Sequence, residues 1–244
     1  MATIVRDGWL TDVTGIPCFS MDAADAKDVP ELPSGVPDGA AFLFAKVPVT
    51  RVDVVKALTR AGFYLVDTNV TLQHIASAPS DEASPAVVIE QAAASDHAAA
   101  QDIASNSFRY SRFHLDPGFP RALADRVKRE WVRSYCERRR GSELLVARRE
   151  GQVAGFLAVL TTSDDGRTAA VIDLVAVDRS AQGVGVGTAL VRHFVREWRK
   201  RADVLRVGTQ LANFPSLALY RRCGFSVVGA KYVLHAHLKN GRVL

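Results

Sequence analysis

The apolar positions change period several times between residue 86 and the C-terminus. "AVVIEQA" (86–92) is a short apolar run that predicts a strand. "SDHAAAQDIASNSF" (95–108) predicts a helix, with Ser95 as its N-cap. In 121–140, Leu123, Val127 and Trp131 step by four and Tyr135 continues the stripe, which predicts a long helix with one apolar face. "ELLVARR" (143–149) and "QVAGFLAVL" (152–160) predict a hairpin turning at Glu150-Gly151. "AAVIDLVAV" (169–177) is apolar enough for a strand buried on both faces. A run of glycines then leads into a helix reaching about Lys200. "VLRVGTQL" (204–211) follows as a strand, "SLALYRRC" (216–223) as a short helix closed by Gly224, and "KYVLHAHL" (231–238) as a last strand. Interleaved strands and helices make an α/β chain.

Before residue 86 the pattern breaks. "ASAPSDEASP" (76–85) is rich in Ala, Ser, Pro and acid and reads as a linker. The expected division is an N-terminal domain of residues 1–78, a linker 79–85 and a larger domain 86–244. The two domains share a pattern: "ALTRAGFYLVDTNVTL" (57–72) aligns with "ALYRRCGFSVVGAKYVL" (218–234), pairing Gly62-Phe63 with Gly224-Phe225 after a one-residue gap. Both read as helix, GF turn, strand. The N-terminal domain is then a degenerate half-copy. Leu58 or Thr59 falls where the second copy has Tyr220, so the first copy is expected to be a scaffold.

Composition narrows the function. Hydrophobic residues make up 48% of the 244 and charged residues 23%, as in ordinary globular proteins. The net charge of +5 suits an anionic partner. The basic residues are scattered and no aromatics interleave with them, which argues against a nucleic-acid surface. The three cysteines contain no CxxC, which argues against a zinc site or disulfide framework and for a reducing compartment. No signal-like N-terminus and no apolar run of roughly 20 residues is present, so a cytoplasmic protein with no membrane partner is expected.

The stretch carrying most chemistry is "AQGVGVGTAL" (181–190). Glycine reaches φ > 0 and lets backbone N–H groups face outward. A helix N-terminus adds unpaired N–H groups and a positive dipole end. Together they cradle anions such as a pyrophosphate. Val184 and Val186 are expected to point into the protein. A dinucleotide-binding reading needs GxGxxG on the first strand–helix turn and an acid about 20 residues on. Here the spacing is GxGxG, late in the chain, and Asp203 follows "WRKRA" rather than a strand.

"VIDLVAVDRSAQGVGVGTAL" resembles the acetyl-CoA signature of the GCN5-related N-acetyltransferases (GNAT), Gln182-x-x-Gly185-x-Gly187 after a buried strand. "NFPSLALYRRCGF" (213–225) resembles their second signature, with Asn213, Leu219-Tyr220 and Gly224-Phe225. The resemblance covers roughly 86–238. "SFRYSRFHLDP" (107–117), "REWVRSYC" (129–136) and "GTQLANF" (208–214) are similar to the branch that acetylates the 4-amino group of dTDP-linked 4-amino-4,6-dideoxygalactose. That branch also carries a partial N-terminal domain.

The resemblance implies the GNAT fold, a mixed, mostly antiparallel twisted sheet flanked by helices. It implies acetyl-CoA as co-substrate, no metal, a nucleotide amino sugar as acceptor, and a homodimer. The backbone of Gln182, Gly183, Val184, Gly185, Val186, Gly187 and Thr188 would bind the CoA pyrophosphate. Leu174, Val175 and Val177 would hold the pantetheine arm, with the Val175 N–H polarising the thioester carbonyl. Leu219 would pack on the cofactor, although the dTDP-sugar branch prefers a polar residue there. Asn213 would bond the arm, or cap its helix. Tyr220 would protonate the departing thiolate. Its ordinary pKa of about 10 exceeds the thiol's 8.5, so it must either hydrogen-bond the thiolate or be lowered by the nearby helix and arginines.

The general base is open between Asp173, His114 and Asp116, directly or through water. Arg109, Tyr110 and Arg112 could pair with a sugar-nucleotide diphosphate, or belong to a structural loop. His235 and His237 share a strand face, but no carboxylate or cysteine lies at useful spacing, so a packed pair is expected rather than a metal site. The alternatives are acetylation of another amine (a protein N-terminus, a polyamine, an antibiotic) and a non-catalytic acyl-CoA-binding module.

Overall fold

Alternation of buried and open positions builds strands across most of the chain. The computed structural model describes residues 3–29, 39–75, 87–164, 166–240 and 242–243. The expected linker 79–85 lies outside them. The strands are β1 (Thr3–Arg6), β2 (Cys18–Asp22), β3 (Ala41–Pro48), β4 (Tyr64–His74), β5 (Val88–Gln91), β6 (Glu143–Arg149), β7 (Gln152–Asp164), β8 (Arg167–Val177), β9 (Val204–Gln210), β10 (Phe225–Lys239) and β11 (Arg242–Val243). Among the described residues they form one sheet in the order β1-β2-β3-β10-β4-β9-β8-β7-β6-β5, with β11 on β10. Only β2–β3 and β8–β9 pair in parallel among the described residues. The helices are α1 (Gly8–Thr14), α2 (Val52–Arg60), α3 (His97–Ser107), α4 (Arg112–Leu115), α5 (Arg121–Cys136), α6 (Val186–Trp198) and α7 (Phe214–Arg222). No helix among the described residues is long and apolar enough to cross a membrane.

α6 and α7 cover one face of the C-terminal strands, packing Leu190, Phe194 and Tyr220 on Leu157, Val159 and Ile172. α3 and α5 cover the other, with Ile103, Val132 and Tyr135 on Val146, Phe156 and Leu174. α2 sets Val54 and Leu58 against Leu43, Ala45 and Leu234. Phe42, Phe113, Phe119 and Val127 fill the seam between the halves.

The repeat has a structural counterpart. β4 and β10 lie antiparallel with Asn69 opposite Lys231, the same sequence offset that separates Gly62 from Gly224. β9 pairs β4 with Gln210 opposite Asn69, and β3 pairs β10 with Pro48 opposite Lys231, again at that offset. The halves are related by a pseudo-two-fold axis through the sheet, and β10 completes the N-terminal strands.

Several boundaries differ from expectation. Ser95 is not the N-cap of α3. The Asp96 carboxylate instead takes the Ala93 N–H at 3.0 Å across a 3-10 turn, and the helix begins at His97. α5 stops at Cys136, and Arg138 takes a left-handed φ of 56°. The last strand starts at Phe225 because Gly224, at φ 84°, turns the chain directly into it. β8 is not buried on both faces along its length: Leu174 and Ala176 are buried, while Val175 and Val177 are half-open.

His235 and His237 gain a partner that spacing could not show. The buried Asp116 accepts from His235 Nδ1 at 2.6 Å, His237 Nε2 at 2.9 Å, the Tyr64 hydroxyl and the Gly118 N–H at 2.8 Å. Gly118 is required there, since a Cβ would lie 2.9 Å from the His237 ring. Burial would raise the Asp116 pKa, but donors from His235, His237 and Tyr64 hold it far below the carboxylate range. Burial pushes His235 down to about 4, so it is neutral at pH 7. The unfolded imidazole titrates near 6.5, so below that pH the unfolded chain binds more protons. Stability is therefore expected to hold above about pH 7 and fall as pH drops from 6.5 toward 4, with Asp116 adding loss below about 4. Melting temperature against pH checks this, and Asp116→Ala, which strips the acceptor from the buried His235 donor, should cost about 1–3 kcal/mol at pH 7.

Candidate active site

A cleft of about 1010 Å³ opens where β8 and β9 separate. Their pairing runs only from Ala169–Val204 to Ile172–Val207. Beyond that β9 follows β4 and β8 follows β7. A bulge sits at the divergence: Val159 opposes Ile172 and Ala158 opposes Leu174, leaving Asp173 as the extra residue. Bulges bend a strand and re-aim its side chains. Leu174, Val175 and Val177 consequently line the cleft.

The glycine turn closes one end. Gly183 and Gly185 are left-handed, at φ 81° and 91°, and Gly185 is the N-cap of α6. The backbone N–H groups of residues 183–188 find no acceptor among the described residues. A Cβ on Gly183 or Gly185 would meet nothing within 4 Å, so both face open space. Gly187 instead permits close packing, with its Cβ position 3.4 Å from Leu219. Gln182, Gly183, Gly185, Val186, Gly187 and Thr188 line the cleft. The Gln182 side chain donates to the Val177 carbonyl at 3.2 Å and ties the turn to the end of β8. Val186 is buried as expected, but Val184 is 47% exposed and lies outside the cleft wall. Flanked by two left-handed glycines, residue 184 forms the tip of the turn and its side chain leaves to solvent.

Tyr220, Asn213 and Leu219 line the same end. Asn213 caps α7, its Oδ1 accepting from the Ser216 N–H at 3.3 Å while its Nδ2 donates to Thr209 Oγ1 at 3.3 Å. Tyr220 is 3% exposed, and its hydroxyl makes no hydrogen bond within the described protein. Burial pushes its phenol well above the ordinary range. The expected lowering by helix and arginines does not occur, because Arg221 and Arg222 are exposed and desolvation dominates.

The three candidate bases part company. Asp173 lines the cleft but is saturated: Arg140 donates at 2.8 and 3.1 Å, Trp131 at 2.8 Å and Tyr135 at 2.7 Å. Burial would raise its pKa, yet Arg140 and the other donors hold it below the usual value, which makes it a poor proton acceptor. The His114 side chain is fully buried between Ser111 and Asp125, away from the cleft, and burial lowers its pKa. Asp116 is locked in the seam. Arg109, Tyr110 and Arg112 do line the cleft.

Sequence reasoning missed Lys46, Asn69 and Lys128, which complete the wall. Lys128 is only 7% exposed, with its Nζ 4.7 Å from both the Phe108 and Trp131 rings. Its signal was available: it falls between Ala124 and Val132 in a buried step of four on α5. Lys46 interrupts the apolar run of β3.

Residues 103–225 match the acetyltransferase (GNAT) family. The spore coat polysaccharide biosynthesis protein SpsD of Bacillus subtilis (strain 168) is 28% identical over 203 residues, 81% of this chain and 67% of that protein. A dTDP-fucosamine acetyltransferase of Escherichia coli O6:H1 is 27% identical over 222 residues, 89% of this chain and 92% of that one. Among solved structures, a GCN5-related N-acetyltransferase from Sphaerobacter thermophilus superposes with a TM-score of 0.63 at 13% identity, covering 100% of this chain and 78% of that chain. A tandem GNAT protein from the clavulanic acid biosynthesis pathway gives 0.54 at 12% identity, with 82% and 64% covered.

Proposed function

The chain belongs to the acetyltransferase (GNAT) family and is an acetyl-transferring enzyme, and on that footing we propose that it moves the acetyl group of acetyl-CoA to the amino group of a nucleotide-linked amino sugar of the dTDP-4-amino-4,6-dideoxyhexose kind. The observation that carries the cofactor half is the row of N–H groups at residues 183 and 185–188, without acceptors among the described residues and open to the cleft at the head of α6. Bare amides at a helix N-terminus fit a pyrophosphate. The acceptor half is supported by the E. coli relative named a dTDP-fucosamine acetyltransferase, 92% of which the chain spans.

Acetyl-CoA supplies an acetyl group activated as a thioester. Gly183 to Thr188 hold its pyrophosphate. The separation of β8 from β9 leaves the open edge of β8 between Leu174 and Val177 for its pantetheine amides, and the Val175 N–H steadies the carbonyl oxygen. The acceptor amine, having lost a proton to water, attacks the thioester carbonyl directly. The C–N bond forms, the C–S bond breaks, and the second amine proton passes to water, without a covalent enzyme intermediate. The Tyr220 hydroxyl, without a partner among the described residues, donates to the departing sulfur. Asp173 fixes the bulge and Arg140 rather than taking a proton. Residues 1–78 act as a partial GNAT copy joined through 79–85 to the acetyltransferase domain 86–244.

A screen of dTDP- and UDP-linked amino sugars with acetyl-CoA, followed by free-thiol release, tests the assignment. Turnover with at least one dTDP-4-amino sugar is expected. Turnover with peptides or small amines and with no sugar nucleotide would overturn the acceptor class and leave the family intact.

A further inference from the structure

The acceptor end of the cleft carries more positive charge than the protein neutralises. Lys46 on β3, Arg112 at the start of α4 and Lys128 on α5 all line it. The Lys128 ammonium makes no hydrogen bond or ion pair with the described protein, and two aromatic rings offer it no lone pair. Lys46 likewise has no carboxylate partner among the described residues. The Arg112 guanidinium lies 3.9 Å from the Phe44 ring centre and 4.2 Å from that of Phe113. It has one polar contact among the described residues, His235 Nε2 at 3.2 Å. The His235 Nδ1–H is given to Asp116, so Nε2 accepts, and the remaining guanidinium donors are unspent. The carboxylate beside them, Asp173, is consumed by Arg140, Trp131 and Tyr135.

The cost of this arrangement shows in the groups themselves. Lys128 is buried, Arg112 is half-buried and Lys46 is exposed at the rim. Burial pushes Lys128 down to about 7 and Arg112 to about 10, and buried cations without an anion are expensive. They become favourable when an anion arrives with several acceptor oxygens, because charge-assisted hydrogen bonds replace repulsion. These cations are separate from the glycine turn. α6 packs on the sheet face carrying Leu157 and Ile172, whereas α5 packs on the face carrying Phe156 and Leu174.

We propose that Lys46, Arg112 and Lys128 form a second anion subsite that takes the diphosphate of the acceptor, so that the N-terminal half of the chain, through Lys46, supplies some of the active site rather than only a scaffold. The proposal rests on the reading of the acceptor as a sugar nucleotide and adds the residues that select it. It also implies that polycationic amines are rejected, since each would bring charge to a site already short of anions.

The test is calorimetric titration of thymidine diphosphate, and separately inorganic pyrophosphate, into the full chain saturated with CoA. The loaded wild type is expected to bind both. Lys46→Gln and Lys128→Met should each weaken binding at least about tenfold, Lys46→Arg should retain it, and CoA affinity should be unchanged throughout. Lys128→Met removes a buried charge and keeps the stem. If that variant fails to fold, Lys46→Gln decides alone. Equal binding by the lysine variants overturns the subsite. So does displacement of CoA by pyrophosphate, which would assign the cations to the cofactor. The two readings separate cleanly: lysine-dependent pyrophosphate binding without acetylation of any sugar nucleotide keeps the subsite and ends the acceptor assignment. Sugar-nucleotide turnover indifferent to both lysines does the reverse.

Discussion

Gly185→Val is expected to weaken acetyl-CoA binding by about a hundredfold or more, the largest effect of any single exchange in the turn. Gly185 sits at φ 91° and ψ −4°, where a β-branched residue costs about 1–3 kcal/mol. Its Cβ would enter the open space above the N–H row, since nothing lies within 4 Å of it. Two charge-assisted hydrogen bonds lost there, at about 1.5–3 kcal/mol each, account for the factor. Gly187→Ala is the matched control. Its Cβ would make an ordinary 3.4 Å contact with Leu219 inside the helix, so affinity should change only a few-fold. Isothermal titration with acetyl-CoA reads both, and a melting curve separates lost binding from lost folding.

Tyr220→Phe should lower kcat by about 10²-fold while leaving acetyl-CoA affinity and melting temperature near wild type. The hydroxyl has no partner within the described protein, so removing it opens no unsatisfied group. The effect is bounded because burial holds the phenol above its ordinary range while a thiol titrates near 8.5. Complete proton transfer is uphill, so the role proposed for the residue is hydrogen-bond donation to developing charge. The same shift fixes a pH result. Tyr220 remains protonated throughout the assayable range, so the rate should rise with pH as the acceptor amine loses its proton and show no fall from tyrosine ionisation below about pH 10. Rates of thiol release from about pH 6 to that limit, in wild type and Tyr220→Phe, measure both.

What the sequence made legible is local. The Glu150-Gly151 hairpin, α6 and the GF turns at Gly62 and Gly224 each depend on neighbours a few residues away, and each formed as read. The repeat was also readable, because its halves keep one pattern of helix, turn and strand. Contacts between distant segments were not readable. Asp116 joins His235 across 119 residues, so the histidine pair looked unaccompanied. Asp173 meets Arg140 and Trp131 only because a bulge turns it toward α5. That removed it as a base, for a reason no spacing rule contains. Lys128 hid inside an apolar stripe, where one basic residue reads as an interruption rather than as the wall of a cleft. Val184 failed for the opposite reason: alternation suggested an inward valine, but two left-handed glycines cancel strand-like alternation.

The proposed grip of bare main chain at the head of α6 on the coenzyme A pyrophosphate is tested by comparing acetyl-CoA with acetyl-pantetheine, which carries the same thioester and no pyrophosphate, in titrations against wild type and Gly185→Val. Acetyl-CoA should bind the wild type about a thousandfold more tightly, and most of that gap should vanish in the variant. Equal affinity of the two ligands for the wild type, or a gap that survives intact in Gly185→Val, would contradict it.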